Sequence, residues 1–158
     1  PPCLAGLSPA ELEGESVLYL KSRGIGDADC EAIAPLIGRN GNLRQLYIGY
    51  NSFGDEGARH LCSALAGSGL QLLGLRHCQL RDGAARAIAD LMRTNTSITE
   101  IGIDENQIGD EGAEALAGAF KDNTVLKHLY IGENRITEAG RAALLNAKTP
   151  HLKVHFNR

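Results

Sequence analysis

Histidine, carboxylate and cysteine side chains are the groups in this 158-residue chain that could perform chemistry. The tetrapeptide Gly-Asp-Glu-Gly occurs at 54–57 and again at 109–112, where it could form a phosphate-binding loop or present paired catalytic carboxylates. His77 and Glu105 could form an acid–base pair or part of a metal site. The elements that position these residues decide between such interpretations and a structural role.

Those elements recur with a period of 27 or 28 residues, so the chain is a repeat protein. The first apolar column contains Leu18, Leu46, Leu73, Ile101 and Leu129. The polar column contains Arg23, Asn51, Cys78, Asn106 and Asn134. The acidic column contains Asp27, Asp55, Asp82, Asp110 and Glu138. Gly-Asp-Glu-Gly includes the acidic column and recurs with the repeat, which favours helix-start chemistry over catalysis.

Each unit is predicted to contain one short strand and one helix. The strands are predicted at 17–20, 45–48, 72–75, 100–103 and 128–131, and the helices at 28–38, 56–66, 83–93, 111–121 and 138–147. Right-handed crossovers between such strands produce a parallel sheet. The five repeats span 15–42, 43–69, 70–97, 98–125 and 126–150.

The two ends of the chain do not complete the repeat. Residues 1–14 cap the first repeat or end an upstream one, and Ser8-Pro9-Ala10-Glu11 predicts a helical turn with a capping box. Residues 151–158 predict a terminal strand, in which either Val154 and Phe156 or Leu152 and His155 point inward; alternation favours the first pair. We expect a monomer, with association through the edge strand 152–156 as the alternative.

The polar and acidic columns have predicted structural roles. Each aspartate is expected to N-cap its own helix. Asparagine in the polar column should bind the backbone of the turn in its own and adjacent units. Cys78 can do this only weakly and Arg23 cannot, so the first and third turns should be less well tied.

Composition excludes some classes of function. A net charge of -3 argues against nucleic-acid binding, and no apolar run has the ~18 residues of a membrane span. No signal peptide is visible, although the chain begins at Pro1 and an upstream segment could be missing. Cys3, Cys30, Cys62 and Cys78 have no metal or redox spacing, so we expect buried thiols in a cytoplasmic, reducing setting, with disulfide or redox use as the alternative.

One stretch carries a family likeness. Residues 98–123 read Ile-Thr-Glu-Ile-Gly-Ile-Asp-Glu-Asn-Gln-Ile-Gly-Asp-Glu-Gly-Ala-Glu-Ala-Leu-Ala-Gly-Ala-Phe-Lys-Asp-Asn. This resembles the ribonuclease-inhibitor subtype of leucine-rich repeat, which includes ribonuclease inhibitor, NOD-like receptor repeat domains and the Ran GTPase-activating protein. The likeness covers 15–156. It implies an α/β fold, a right-handed βα solenoid with a parallel sheet on its concave face and helices on its convex face, and leaves function open.

Alternate strand residues should point onto the concave face because side chains alternate along a strand. All four tyrosines of the chain fall on this face or its rim, where packing does not require them. The candidate partner-binding residues are Tyr19, Tyr47, Tyr50, Arg76, His77, Asp104, Glu105, His128, Tyr130 and Glu133.

Equal positions on neighbouring strands should contact each other, because strands lie about 4.8 Å apart. Arg76 should therefore face Asp104, and Glu100 should face His128. A further row contains His77, Glu105 and Glu133. A row of surface salt bridges explains these residues better than a metal or acid–base site, so we predict no catalytic residue, no metal and no cofactor.

The sequence thus predicts an intracellular, non-enzymatic module that binds a protein partner on its concave face. A GTPase-activating or other regulatory protein of the Ran-activator type is one alternative, which stimulated GTP hydrolysis would identify. A structural scaffold segment of a longer repeat protein is another. Five strands offer a face of only about 250 Å², whereas a standard interface needs roughly 800 Å² per partner, so binding must recruit loops or further repeats.

Overall fold

Six short strands alternate with six helices along residues 4–157, the part of the chain that the computed structural model describes. The strands are β1 (Val17–Tyr19), β2 (Gln45–Tyr47), β3 (Leu72–Gly74), β4 (Glu100–Gly102), β5 (His128–Tyr130) and β6 (Lys153–His155). The helices are α1 (Pro9–Gly14), α2 (Asp27–Gly38), α3 (Gly54–Leu65), α4 (Asp82–Thr94), α5 (Asp110–Phe120) and α6 (Glu138–Ala147). Each repeat strand is one residue shorter than predicted, and each repeat helix begins within two residues of its prediction.

All neighbouring strands pair in parallel, in the order β1-β2-β3-β4-β5-β6. The register joins equal positions of successive units, so Leu18 pairs with Leu46 and Ile101 with Leu129. The apolar columns are buried between the sheet and the helices, and each repeat helix packs on the next. The predicted βα solenoid is confirmed.

The asparagines of the polar column tie one turn to the next, as predicted. Asn106 donates from Nδ2 to the carbonyls of Leu75, Ile103 and Asp104, and its Oδ1 accepts from the backbone amides of Cys78 and Leu80. Asn51 and Asn134 make the same kinds of bond.

The first and third turns differ from the others. Cys78 Sγ only reaches the carbonyls of Ile48 and Arg76, at 3.5 Å each. The residue that follows the polar column has positive φ in these two units, at Gly24 and Gln79, and in none of the other three repeats. The sequence change at the polar column therefore changes the path of the turn.

The acidic column does not N-cap its own helix, and that prediction is wrong. Each aspartate lies in the first turn of its helix and points forward to the start of the next one. Asp82 Oδ1 accepts from the amides of Gly109, at 2.7 Å, and Gly112, at 3.1 Å. Asp27 binds the amide of Gly57 in the same way, and Asp55 binds that of Arg81.

This forward contact explains the second glycine of Gly-Asp-Glu-Gly. A Cβ at Gly112 would lie 2.6 Å from Asp82 Oδ1, closer than such atoms can approach. The tetrapeptide is thus the point where one repeat caps its neighbour.

The end segments follow their predictions in part. Ser8 and Glu11 form the predicted capping box on α1. The side-chain amide of Asn40 donates to the carbonyl of Leu12, and the side-chain amide of Asn95 makes the equivalent bond to the carbonyl of Leu65. At the other end Val154 pairs with Leu129, which confirms Val154 as an inward residue, whereas Leu152 of the alternative pair is buried as well. Phe156 is half-buried, and the guanidinium of Arg141 lies 4.2 Å from the centre of its ring.

Cys30, Cys62 and Cys78 are buried, unbonded thiols, as predicted, and burial raises the pKa of each to about 12. Cys3 lies outside the described residues. No helix within 4–157 has both the length and the apolar character needed to cross a membrane.

Candidate functional site

The open face of the sheet, which is the side turned away from the helices, carries side chains in four rows. The first row contains Val17, Gln45, Leu72, Glu100, His128 and Lys153. The ring row contains Tyr19, Tyr47, Gly74, Gly102, Tyr130 and His155. The charged row contains Lys21, Gly49, Arg76, Asp104 and Gly132. The rim row contains Ser22, Tyr50, His77, Glu105 and Glu133. The parallel register places equal members of the first two rows side by side.

Two stacks of aromatic rings form in the ring row. Tyr19 and Tyr47 stack with ring centres 5.2 Å apart and planes 6° apart. Tyr130 and His155 stack at 4.4 Å and 14°. Both spacings are close to the ~4.8 Å separation of strands, which sets the distance between equal side chains. The glycines of β3 and β4 separate the two stacks.

The tyrosines differ in exposure. Tyr19 is 66% exposed, whereas the other three are half-buried. The hydroxyl of Tyr47 donates to Gln45 Oε1 at 2.9 Å, and burial raises the pKa of Tyr47, with smaller contributions from Tyr19 and Glu100. The hydrogen bond and the partial burial hold the Tyr47 ring in one orientation.

Arg76 is the centre of the predicted salt-bridge row. Its Nε lies 3.2 Å from Asp104 Oδ2, and its guanidinium also bonds to Glu105. His77 Nδ1 lies 3.5 Å from the other oxygen of Glu105. The juxtaposition predicted for Arg76 and Asp104, and for His77 and Glu105, is therefore confirmed.

This arrangement does not prepare Glu105 for proton transfer. Hydrogen bonding from Arg76 lowers the pKa of Glu105, and Glu105 in turn raises the pKa of Arg76. A general base at neutral pH needs a pKa near 7, so the change has the wrong direction. Within residues 4–157 no three His, Cys, Asp or Glu side chains are grouped as metal ligands.

Asp104 was predicted to be accessible on this face, and that is wrong. It is only 3% exposed, although it borders a depression of the open face beside Tyr130 and Glu133, and its Oδ2 lies 3.2 Å from Arg76 Nε. The sequence predicts that the side chain at position 104 points to the open face. How far it is buried there depends on the size of the neighbouring side chains.

His128 lies opposite Glu100 in the register, as predicted. Its imidazole, however, faces β6, where Nδ1 lies 3.0 Å from His155 Nε2. His155 was not among the predicted site residues. The alternation that places Val154 inward also places His155 outward, so the signal was present in the sequence.

All five rim-row residues have φ between 54° and 56°. This left-handed conformation costs a residue other than glycine about 1–2 kcal/mol. The change in backbone direction at these positions keeps the rim side chains near the open face after the strand ends. Tyr50 and His77 stack with ring centres 5.1 Å apart, and Lys21 Nζ lies 4.6 Å from the centre of the Tyr50 ring. Sequence reasoning missed this conformation because none of the five is glycine or asparagine.

Two depressions occupy the open face. The first, of about 370 Å³, lies over Gly74 and Gly102 and is bordered by Tyr47, Tyr50 and Arg76. The second, of about 360 Å³, is bordered by Glu105, Tyr130, Glu133, His155 and other residues. Seven of the ten predicted contact residues border one of the two depressions: Tyr47, Tyr50, Arg76, Asp104, Glu105, Tyr130 and Glu133. The other three, Tyr19, His77 and His128, each stack on a tyrosine of that set.

Comparison with known proteins identifies the repeats. Three segments, 39–62, 94–117 and 122–145, match the family profile described as Leucine Rich repeat. These three segments are leucine-rich repeats. The resemblance to the ribonuclease-inhibitor type is also confirmed, because pig ribonuclease inhibitor is 30% identical over 88 residues, which are 54% of this chain and 19% of that protein.

Other relatives extend this picture of the leucine-rich repeat chain. Bovine "NACHT, LRR and PYD domains-containing protein 3" is 34% identical over 86 residues, 53% of this chain and 8% of that protein. The chain therefore spans less than a fifth of the length of these curated relatives.

Solved structures show the same fold at low sequence identity. The tropomodulin C-terminal domain of Caenorhabditis elegans superposes with a TM-score of 0.73 at 14% identity, covering 88% of this chain and 87% of that one. Leiomodin-1 Actin-Binding Site 2 superposes with a TM-score of 0.69 at 15% identity, covering 84% and 78%.

Proposed function

We propose that this leucine-rich repeat chain is a protein-interaction module that binds a protein partner through the open face of its sheet. The observation that carries the proposal is the set of rings and charges held on positions the core does not use. The proposed contacts are Tyr19, Tyr47, Tyr50, Arg76, His77, Glu105, His128, Tyr130 and Glu133, with Asp104 positioning Arg76.

The rim row supports this proposal energetically. Five side chains remain at left-handed positions where glycine would be less strained. Strain of this kind concentrates at binding and catalytic sites. The preorganised Arg76, held by two carboxylates, and the stacked tyrosines have the character of interface anchors.

The names of similar proteins agree with a binding role. One relative is named for inhibition of ribonuclease, and one structural neighbour is named as an actin-binding site. Buried, unbonded thiols agree with a reducing, intracellular setting, since disulfides persist in oxidising compartments.

The size of the open face sets what a partner must contact. Six strands at ~4.8 Å spacing and four rows spanning ~17 Å give roughly 400 Å². A standard interface buries about 800 Å² per partner. We therefore expect the partner to contact the loops beside the rim row or further repeats as well.

The proposal is tested by affinity capture from the source cell with quantitative mass spectrometry. The chain is compared with a Tyr47→Ala/Tyr130→Ala variant and with a helix-side control, Arg59→Ala/Arg86→Ala, whose arginines are exposed away from the open face. A captured protein is then purified and its Kd measured. We expect the open-face variant to weaken binding at least about tenfold, as is common for interface tyrosines, and the control to leave it unchanged.

Two results would contradict the proposal. The first is a partner whose Kd is unchanged in the open-face variant. The second is the absence of any captured protein, which would favour a scaffold role for this segment.

A further inference from the structure

The interruption of the ring row at Gly74 and Gly102 is the feature that the proposed function does not explain. Rings occupy this row on β1, β2, β5 and β6, stacked at the spacing of the strands. On β3 and β4 the row contains glycine, and the first depression lies there. Tyr47, paired with Gly74 in the register, forms one wall of the gap.

Gly74 is not required by the backbone. A Cβ built on it would approach no atom closer than 3.4 Å, which is ordinary van der Waals contact, and its φ is not positive. Gly49 and Gly132 in the charged row are different, because a Cβ there would collide with the backbone oxygen of Arg76 and of Phe156, respectively. Glycine weakens a strand and marks places where a ligand or another chain approaches closely. Gly74 therefore leaves space for a group that this chain does not supply.

The walls of the gap define the chemistry of that group. A planar group seated over Gly74 would lie one strand spacing, about 4.8 Å, from Tyr47, and would continue the stack of Tyr19 and Tyr47. Leu72 adds apolar surface on the same strand. A flat, largely apolar group fits these surroundings.

Charge decides between an aromatic ring and a guanidinium. Lys21, Arg76 and Glu100 line the depression, and the charge of Arg76 is already paired with Asp104 and Glu105. Within the described part of the chain the Lys21 ammonium forms no salt bridge, so it is the group that would repel an incoming cation. Among residues 4–157 the Glu100 carboxylate makes no hydrogen bond and no ion pair, although it borders the depression. It can accept a hydrogen bond from a phenol O–H or an indole N–H.

We propose that the gap over Gly74 receives a tyrosine or tryptophan side chain of the protein partner, which stacks on Tyr47 and donates a hydrogen bond to Glu100. This inference rests on the proposed function, because it specifies one contact of the same face. The seated ring becomes the third member of the stack that begins at Tyr19.

The test uses small probes, so that it does not depend on knowing the partner. The ¹⁵N-labelled chain is titrated with N-acetyl-tyrosinamide and N-acetyl-tryptophanamide, and in parallel with N-acetyl-leucinamide and N-acetyl-argininamide. We expect saturable NMR shifts at the amides of Gly74 and Gly102 with the two aromatic probes, with Kd on the order of millimolar. The leucine and arginine probes should give no saturable shift there.

Four variants separate the contributions. Gly74→Val fills the gap and should abolish saturation, whereas Gly41→Val, at a position where an added Cβ would have no neighbour within 4 Å, should leave it intact. Glu100→Ala should weaken aromatic probes about tenfold, the usual effect of losing a hydrogen bond to a charged group. If Gly74→Val does not fold, Glu100→Ala and Tyr47→Leu still test the contact.

The results distinguish this inference from the proposed function. Equal binding of the arginine probe, or aromatic binding that survives Gly74→Val, overturns the inference. A partner that is lost by Tyr47→Ala/Tyr130→Ala but retained by Gly74→Val also overturns it, and leaves the proposed function standing. Probe binding in the gap together with a partner insensitive to the open face would instead contradict the proposed function.

Discussion

Single carboxylates of the acidic column connect one repeat to the next. Asp82 accepts hydrogen bonds from two amides at the start of α5, although its own backbone lies at the start of α4. The unsatisfied amides at a helix N-terminus are therefore capped by the preceding repeat. Each such aspartate stabilises the stacking of units, which is how a solenoid acquires its stability.

Replacement of Asp82 by alanine should lower the free energy of unfolding by about 1–2 kcal/mol, the usual loss for a helix cap. Urea denaturation followed by circular dichroism measures it. Glu138→Ala is the matched control, since no helix follows α6 within the described residues. Equal losses in the two variants would mean that the column caps its own helices after all.

Asp110 gives the same contact a pH dependence. Hydrogen bonds from the hydroxyl and amide of Thr137 lower the pKa of Asp110 from its ordinary 3.8. Because the folded-state pKa is below the unfolded one, the stabilisation is present above the unfolded value and is lost as pH falls through the folded value.

Thr137→Val removes the hydroxyl donor, so NMR titration should find the pKa of Asp110 closer to 3.8 in the variant. The variant should be less stable than the parent chain at neutral pH, and this difference should shrink in acid. A stability difference that is constant down to pH ~2 would show that the hydroxyl does not act through the carboxylate.

At the level of elements, two sets of asparagines, all buried except the half-buried Asn134, tie the turns together. The polar column binds the turns that follow the strands, while Asn40, Asn95 and Asn123 bind the turns that follow the helices. Asn95, for example, accepts from the amides of Ser97 and Ile98 and donates to a carbonyl of the preceding unit. Residues 4–157 contain no buried side-chain nitrogen or oxygen without a hydrogen-bond partner.

Asn106→Ala should be among the most destabilising single changes, by about 3 kcal/mol, because two buried amides and three carbonyls lose their partner. Asn134→Ala should have a smaller effect, since Asn134 is half-buried and its Oδ1 has one amide donor, that of Ile108. Thermal unfolding of both variants compares them. A larger loss of stability in Asn134→Ala than in Asn106→Ala would show that the hydrogen bonds of the polar column are not the source of this stability.

At the scale of the whole molecule, the sheet has two edges, and β6 forms one of them. An edge strand can pair with another chain unless charge or cover prevents it. Lys153 is exposed on β6, and Arg141 lies over Phe156 beside it. We expect these residues to protect the edge, and the monomer remains a prediction.

Replacement of Lys153 by valine should therefore promote self-association, because it removes the charge from an edge strand. Analytical ultracentrifugation over a wide range of concentration should find a monomeric mass for the parent chain and a concentration-dependent mass for the variant. A parent chain that already dimerises, and is unaffected by the change, would place the contact elsewhere.

The sequence by itself determined the strands, the helices and the register. In a solenoid the period of the sequence equals the step between neighbouring units, so residues one period apart must contact each other. Arg76 and Asp104, 28 positions apart, could be paired for this reason alone. The turn role of Asn106 followed from the same periodicity.

Only the tertiary structure decided how side chains fill the space between the columns. Asp82 could reach the amides of its own helix or of the next one, and the stacking distance of the helices selects the second. Asp104 is buried and paired with Arg76, and Tyr50 and His77 adopt left-handed conformations that their residue types do not signal. The gap at Gly74 likewise has meaning only beside Tyr47. Periodicity specifies which residues are neighbours, whereas rotamers and packing specify which groups they bind.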